Sequence, residues 1–222
     1  MNVLIVHAHP ESKSFNGAMT AVAHRTLSTQ GHTVTVSDLY RDGFKAVSDR
    51  GNFTGEVDPE FLKLQAEERF AAHNNGFSDE LEQEISRLEA ADLVIFQFPL
   101  WWFGFPAIMK GWVDRTFAAG RIYGGSPPYE GGRFRGRRAL LSLTTGAPAE
   151  VYEADGMHGD LMGILRPIHR GILSFVGYDV LAPQVLCGAA RVGEKAREDA
   201  LEAWADRLTG IMNEAPIEIG RY

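Results

Sequence analysis

The chain has 222 residues, 45% hydrophobic and 23% charged, which is enough apolar material for one sizeable water-soluble domain with extensions. A formal net charge of -7 with no Lys/Arg stripe argues against a nucleic-acid partner or an anionic membrane surface. The single cysteine, Cys187, excludes a disulfide scaffold or a thiolate zinc cluster within one chain.

In chain order, residues 3–6 form the first buried-strand candidate, and His7-Ala8-His9-Pro10 leads it into the polar loop HAHPESKSFNG. The amino end lacks the basic flank of a signal peptide, and no run approaches the ~20 apolar residues of a membrane span. A cytoplasmic protein without a membrane span is expected. Ser12, Ser14 and Asn16 offer N-caps to an Ala/Met-rich helix over 18–30, which Gly31 closes. Residues 34–36 read as a strand, and this β-α-β spacing implies a right-handed parallel crossover. From 41 to 80 the signal weakens to an excursion: 50–55 is irregular, 60–72 helical, and Ser78-Asp79-Glu80-Leu81 resembles a capped start to a helix ending at Ala90.

The strongest signal follows. Residues 93–98 are an apolar run between a charge and a proline, read as a strand buried on both faces and ended by Pro99. Leu100-Trp101-Trp102-Phe103-Gly104-Phe105 forms an aromatic loop, and Pro106 stands where a helix starts. Ile108, Trp112 and Phe117 give that helix its apolar face. A loop over about 119–137 carries the basic run 133–138, read as a solvated strand entry. Next come a strand over 138–144, a helix over 159–176 with Pro167 as a kink, a fifth strand over 179–185 and an amphipathic helix over 194–213. The fold class expected is α/β: a doubly wound, five-stranded parallel sheet with helices on both faces, in one domain spanning 1–222.

Such sheets bind ligands outside the carboxyl ends of their strands, so Trp101, Trp102 and Phe103 suit a flat, partly apolar ligand. Trp112, on a helix, is assigned to the core. The first loop is the usual anion seat, because free backbone N–H groups and the helix dipole favour negative charge. It is neither G-x-x-x-x-G-K-[ST] nor G-x-G-x-x-G, so its hydroxyl and amide side chains are expected to cradle a phosphate another way. His7 and His9 could face one side, but no third ligand lies nearby and no metal is expected.

Together these blocks are recognisable. AHPESKSFNGAM at 8–19, EAADLVIFQFPLWWFGFPAIMKGWVDR at 89–115, LSLTTGAP at 141–148, Tyr152 through Asp160 and GILSFVGYDVLAPQ at 171–184 resemble, collinearly, the NAD(P)H:quinone oxidoreductases. This is the DT-diaphorase family of flavodoxin-like flavoenzymes. The resemblance implies a homodimer with shared active sites, FAD (less readily FMN), and NADPH or NADH as donor to a small quinone. It implies two-electron, ping-pong hydride transfer through flavin N5, with azo or nitroaromatic compounds as further acceptors. By the same resemblance His9, Phe15 and Asn16 hold the phosphates and ribityl chain. Leu100, Trp101, Trp102 and Phe103 underlie the flavin ring, Thr144, Thr145, Gly146 and Ala147 form its second loop, and Arg197 sits near the adenine. Backbone N–H groups of 100–103 and 144–147 are expected to bond its polar rim. Tyr152 and His158 match the catalytic pair. Trp102, Phe103, Tyr123 and Phe175 match the substrate pocket, the last two reaching it from the partner subunit.

There are departures. The second gating aromatic falls on Gly125, which reshapes the mouth, and Gln65 lies near a glutamine contact whose register the sequence does not fix. The chain reaches Tyr222 without the extension that some members use near the nicotinamide. Two other classes stay open at this point: a flavin-bound regulatory subunit of an ion-efflux transporter, and an FMN electron-carrier flavodoxin.

Overall fold

The apolar run at the centre of the sequence becomes β3 (Leu93–Pro99), buried at every position. In this computed structural model, which describes residues 1–221, its neighbours are β1 (Asn2–His7) on one side and β4 (Arg138–Thr144) on the other. Outside them lie β2 (Thr33–Asp38) and β5 (Asp179–Val180), giving the order β2-β1-β3-β4-β5. All pairings are parallel, and the order is the flavodoxin-like one.

Alternation along the strands divides the core in two, since successive side chains point to opposite faces. Val3, Ile5, Leu93, Ile95 and Leu140 pack under α1 (Phe15–Thr29) and α6 (Glu194–Gly210), where Met19, Leu27, Trp204 and Leu208 meet them. Leu4, Val6, Val94, Phe96, Phe98 and Leu141 face the other way. They meet α3 (Asp79–Ala90), α4 (Ala107–Thr116) and α5 (Leu161–Ile168) through Leu81, Ile85, Trp112 and Leu165. Helices therefore cover both faces, as expected. Among the described residues no helix is long and apolar enough to cross a membrane.

Two details differ from the sequence reading. The fifth strand is split: β5 leaves the ladder after Leu181, whose N–H donates to Ala139 O at 2.9 Å. The chain then returns as β6 (Gln184–Leu186) beside Ser142–Thr144. Pro183 lies at the break, as a residue without an N–H to give the ladder. Ser78 stands at the start of α3 but does not cap it with its side chain, and its Oγ is buried without a partner. Pro167 lies inside α5, within the helical stretch expected around it, and a π-helical segment, His169–Ser174, follows directly.

The weak segment is tied down from a distance. It holds a short 3-10 turn at Arg50–Asn52 and α2 (Leu64–Asn74), which begins four residues later than expected. Arg115 of α4, 1% exposed, donates to Asn52 Oδ1 at 2.8 Å, to Lys45 O and to Glu80 Oε2 at 2.6 Å. Its guanidinium also lies 4.9 Å from the Phe44 ring centroid. One turn earlier, a Cβ on Gly111 would stand 2.2 Å from Ala46 O, so the helix touches the excursion's backbone. Replacing Arg115 by Met strands these acceptors. We expect a loss of about 2–4 kcal/mol in unfolding free energy, measured by urea denaturation, with wild-type stability as the contrary result.

Candidate active site

Two loops leave the sheet side by side because β3 and β4 pair in register to their last residues, Pro99 opposite Thr144. Leu100 N–H then donates to Thr144 O at 2.8 Å, extending the ladder one step into the loops. After it the chain makes a two-residue hairpin, with Trp101 N–H donating to Gly104 O at 3.2 Å and Gly104 N–H to Trp101 O at 3.1 Å. The residues at its tip, Trp102 and Phe103, have φ of 51° and 59°. This left-handed pair is normally the place of Asn or Gly, because a Cβ there meets the backbone. The strain holds the rings out: Trp102 is 98% exposed, Phe103 48% and Trp101 42%. Phe105 roots the hairpin in the core, 4.8 Å from the Phe98 ring centroid.

The second loop is built by Thr145. Its hydroxyl donates to Ala147 O at 2.6 Å and accepts the Gly188 N–H at 3.3 Å, while its N–H goes to Leu186 O at 3.0 Å. This leaves Gly146 exposed at the tip. Downstream, His158 N–H donates to Val151 O at 2.8 Å and closes a turn in which a Cβ on Gly156 would stand 2.5 Å from Glu150 O. The turn brings the Tyr152 and His158 rings to 5.4 Å, and His158 meets Phe103 edge-on at 5.3 Å. The expected catalytic pair and the expected stacking loop thus form one continuous group.

The first loop folds against the start of α1, where Ser14 Oγ accepts the Gly17 N–H at 3.1 Å. The Phe15 and Asn16 amides have no protein acceptor among the described residues, as expected of a helix amino end. His9 Nδ1 lies 3.0 Å from Glu11 N and 3.1 Å from Glu11 O, which fixes the ring over that residue. His7 turns inward to Thr20 Oγ1 at 2.9 Å, and burial lowers its pKa. The two histidines therefore do not converge on one point. The Asn16 side chain also turns inward: its Nδ2 donates to Thr144 Oγ1 at 3.0 Å and its Oδ1 accepts from Gln97 at 2.8 Å.

Of the amides expected to face a ligand, those of Leu100, Trp101 and Thr145 are already committed to the protein. Those of Trp102, Phe103, Gly146 and Ala147 donate to nothing among the described residues. Four free donors beside exposed rings suit a planar ligand with a polar rim, and the free amides of α1 suit a phosphate. A flavin nucleotide fits this donor set.

Tyr123 and Phe175 lie in a second group. Their rings are 6.3 Å apart, Phe175 meets Tyr129 at 5.7 Å, and Gln65 Nε2 donates to Tyr123 Oη at 3.2 Å. No ring contact among the described residues joins this group to Phe103, Tyr152 or His158. Gln65, whose register the sequence left open, thus belongs with Tyr123. Burial, and next the Glu68 carboxylate, raise the Tyr123 pKa. Arg197 donates to Val192 O at 3.0 Å, bracing the turn that follows Gly188. Gln97 and Gly188 were not anticipated. The signal for Gln97 was a lone amide in an otherwise apolar central strand, since a buried amide needs partners.

The parallel order β2-β1-β3-β4-β5 with helices on both faces defines a flavodoxin-like fold, and the family described as having the flavodoxin-like fold matches residues 1–209. Mouse ribosyldihydronicotinamide dehydrogenase [quinone] is 44% identical over 97% of this chain and 94% of its own length. Rat NAD(P)H dehydrogenase [quinone] 1 is 43% identical over 96% of this chain and 78% of its own. A candidate quinone reductase from Klebsiella pneumoniae superposes with a TM-score of 0.92 at 39% identity, over 98% of this chain and 87% of that one. The chain belongs to the NAD(P)H:quinone oxidoreductase family and is an oxidoreductase.

The exposures predict a spectroscopic result. Trp112 and Trp204 are 0% exposed, so iodide should quench only the fluorescence of Trp101 and Trp102 in ligand-free protein. Trp102→Phe should remove the larger part of that quenching, and added FAD should protect it. Unchanged quenching in the variant would contradict the exposed turn.

Proposed function

We propose that the protein is an FAD-dependent NAD(P)H:quinone oxidoreductase that works as a homodimer by a ping-pong, two-electron mechanism. The observation that carries the reading is the run of contacts from Phe103 to His158 to Tyr152, set beside four uncommitted backbone amides. In this reading Trp102 and Phe103 supply the stacking faces, and the amides of Trp102, Phe103, Gly146 and Ala147 take the polar rim. His9 and the Phe15 and Asn16 amides take the phosphates. When bound, the flavin accepts two electrons from a reduced nicotinamide and passes them to a quinone.

The chain's own residues bind, orient and manage protons. With a flavin bound, the Tyr152 hydroxyl would serve as a donor that stabilises added negative charge. His158, its ring 5.4 Å from that of Tyr152, supplies and takes up the proton through Tyr152. Tyr123 and Phe175, with no ring contact to this group in one chain, serve the site of a second copy, and Gln65 holds the Tyr123 hydroxyl there. Gly125 opens that mouth, since a Cβ on it would meet nothing within 4 Å. One crevice then receives donor and acceptor in turn.

Extraction and chromatography of the bound flavin should return FAD; FMN would correct the cofactor, and protein that binds neither would sink the proposal. Double-reciprocal plots at several quinone concentrations should be parallel, whereas intersecting lines exclude ping-pong. The two relatives above carry different donors in their names, so the donor panel should include dihydronicotinamide riboside with NADH and NADPH.

Tyr152→Phe and His158→Gln should each slow flavin reduction by about 100-fold or more, read by stopped flow at saturating donor, with FAD still bound. Reduction at the wild-type rate in both variants would remove them from the chemistry.

A further inference from the structure

Gln97 is a polar residue at the centre of a strand whose other side chains are apolar, and it is 1% exposed. A buried amide costs free energy unless its partners are supplied, so its place in the strand needs an explanation. Its Nε2 contacts two groups, Asn16 Oδ1 at 2.8 Å and Met19 Sδ at 3.7 Å. Only one orientation of the amide adds a hydrogen bond to the thioether. Sulfur is a weak acceptor and never a donor, so the Gln97 atom between Met19 and Asn16 is the NH2. Asn16 must then present its oxygen to Gln97, which turns its own NH2 to Thr144 Oγ1 at 3.0 Å. Thr144 accepts that hydrogen and keeps its hydroxyl proton, for which no protein acceptor exists among the described residues. Each bond in such a chain polarises the next.

We infer that Gln97, Asn16 and Thr144 form a one-way chain of donors that fixes the Thr144 hydroxyl as a donor toward the flavin, with Gln97 as the positioning residue. This rests on the flavin reading given above. Thr144 is the last residue of β4, opposite Pro99, where the two loops begin. Without Gln97 the Asn16 amide is free to turn over, and the Thr144 proton is then drawn to Asn16 Oδ1 and lost to the ligand. Gln97 touches no ligand; it acts through the two residues beyond it.

The test is a double-mutant cycle on FAD affinity, read by quenching of flavin fluorescence on titration into flavin-free protein. Thr144→Val and Gln97→Leu should each raise the FAD Kd about 5–10-fold. The double variant should be no worse than Thr144→Val within twofold, because Gln97 has no route except the hydroxyl. Thr144→Ser, which keeps the hydroxyl, should bind as wild type does. If Gln97→Leu fails to fold, Gln97→Met keeps the length of the side chain, offers no donor and carries the same cycle. A role of Gln97 in packing alone would give additive losses, and additivity overturns the inference. Wild-type affinity in either single variant overturns it too, as does a Thr144→Ser variant as weak as Thr144→Val. Wild-type protein that binds neither FAD nor FMN would overturn the flavin reading itself, and is distinct from each of these.

Discussion

The pairing of β3 with β4 is the constraint on which the rest of the molecule depends. Seven residues of each strand run in register from Leu93 opposite Arg138 to Pro99 opposite Thr144. Both strands are buried, one completely and the other at every position but its first. A slip by one residue would turn every apolar side chain to the wrong face, so the register is strongly specified. Because it is specified to its last pair, the loops that follow start from fixed points. The aromatic hairpin and the Thr145 loop are neighbours by virtue of the sheet beneath them.

The carboxyl edge gathers its hydrogen-bond donors locally. The chain is acidic, with a net charge of -7, yet the groups gathered at the carboxyl edge are donors: four loop amides and the amino end of α1. Backbone dipoles fixed by secondary structure attract an anion at short range whatever the sign of the total charge, which acts over distances that salt screens. Several side chains of this first loop are engaged with the protein itself. Ser14 caps α1, His9 is held over Glu11, and the Asn16 amide is spent on the core.

Much of this was legible in the sequence, and what was not has a physical cause. Residues 93–98 announced their strand because burial on both faces leaves no room for polar alternation. The aromatic loop announced its exposure because an irregular segment at a sheet edge cannot bury three rings. The excursion at 41–80 stayed obscure because its order comes from elsewhere: Arg115 reaches Asn52, Lys45 and Glu80 across the fold. Ser78 looked like a cap from its spacing to the acidic residues that follow, but its hydroxyl is enclosed without a partner. The break between β5 and β6 was marked only by Pro183, and a strand propensity on either side masked it. The resemblance assigns Asn16 to a ligand, and nothing in its neighbours shows where its side-chain amide goes. Gln97, eighty-one positions away and in hydrogen-bond contact, turns it inward.

Two residues with large side chains held at φ of 51° and 59° carry a cost of order 1–2 kcal/mol each. An Asn-Gly pair would relieve that cost at once. A laboratory campaign selecting only for heat resistance would therefore be drawn to positions 102 and 103, and its winners would be sturdier proteins without the two exposed rings. The tip of the hairpin is a point where endurance is given up, and an outward-facing aromatic pair stands in its place.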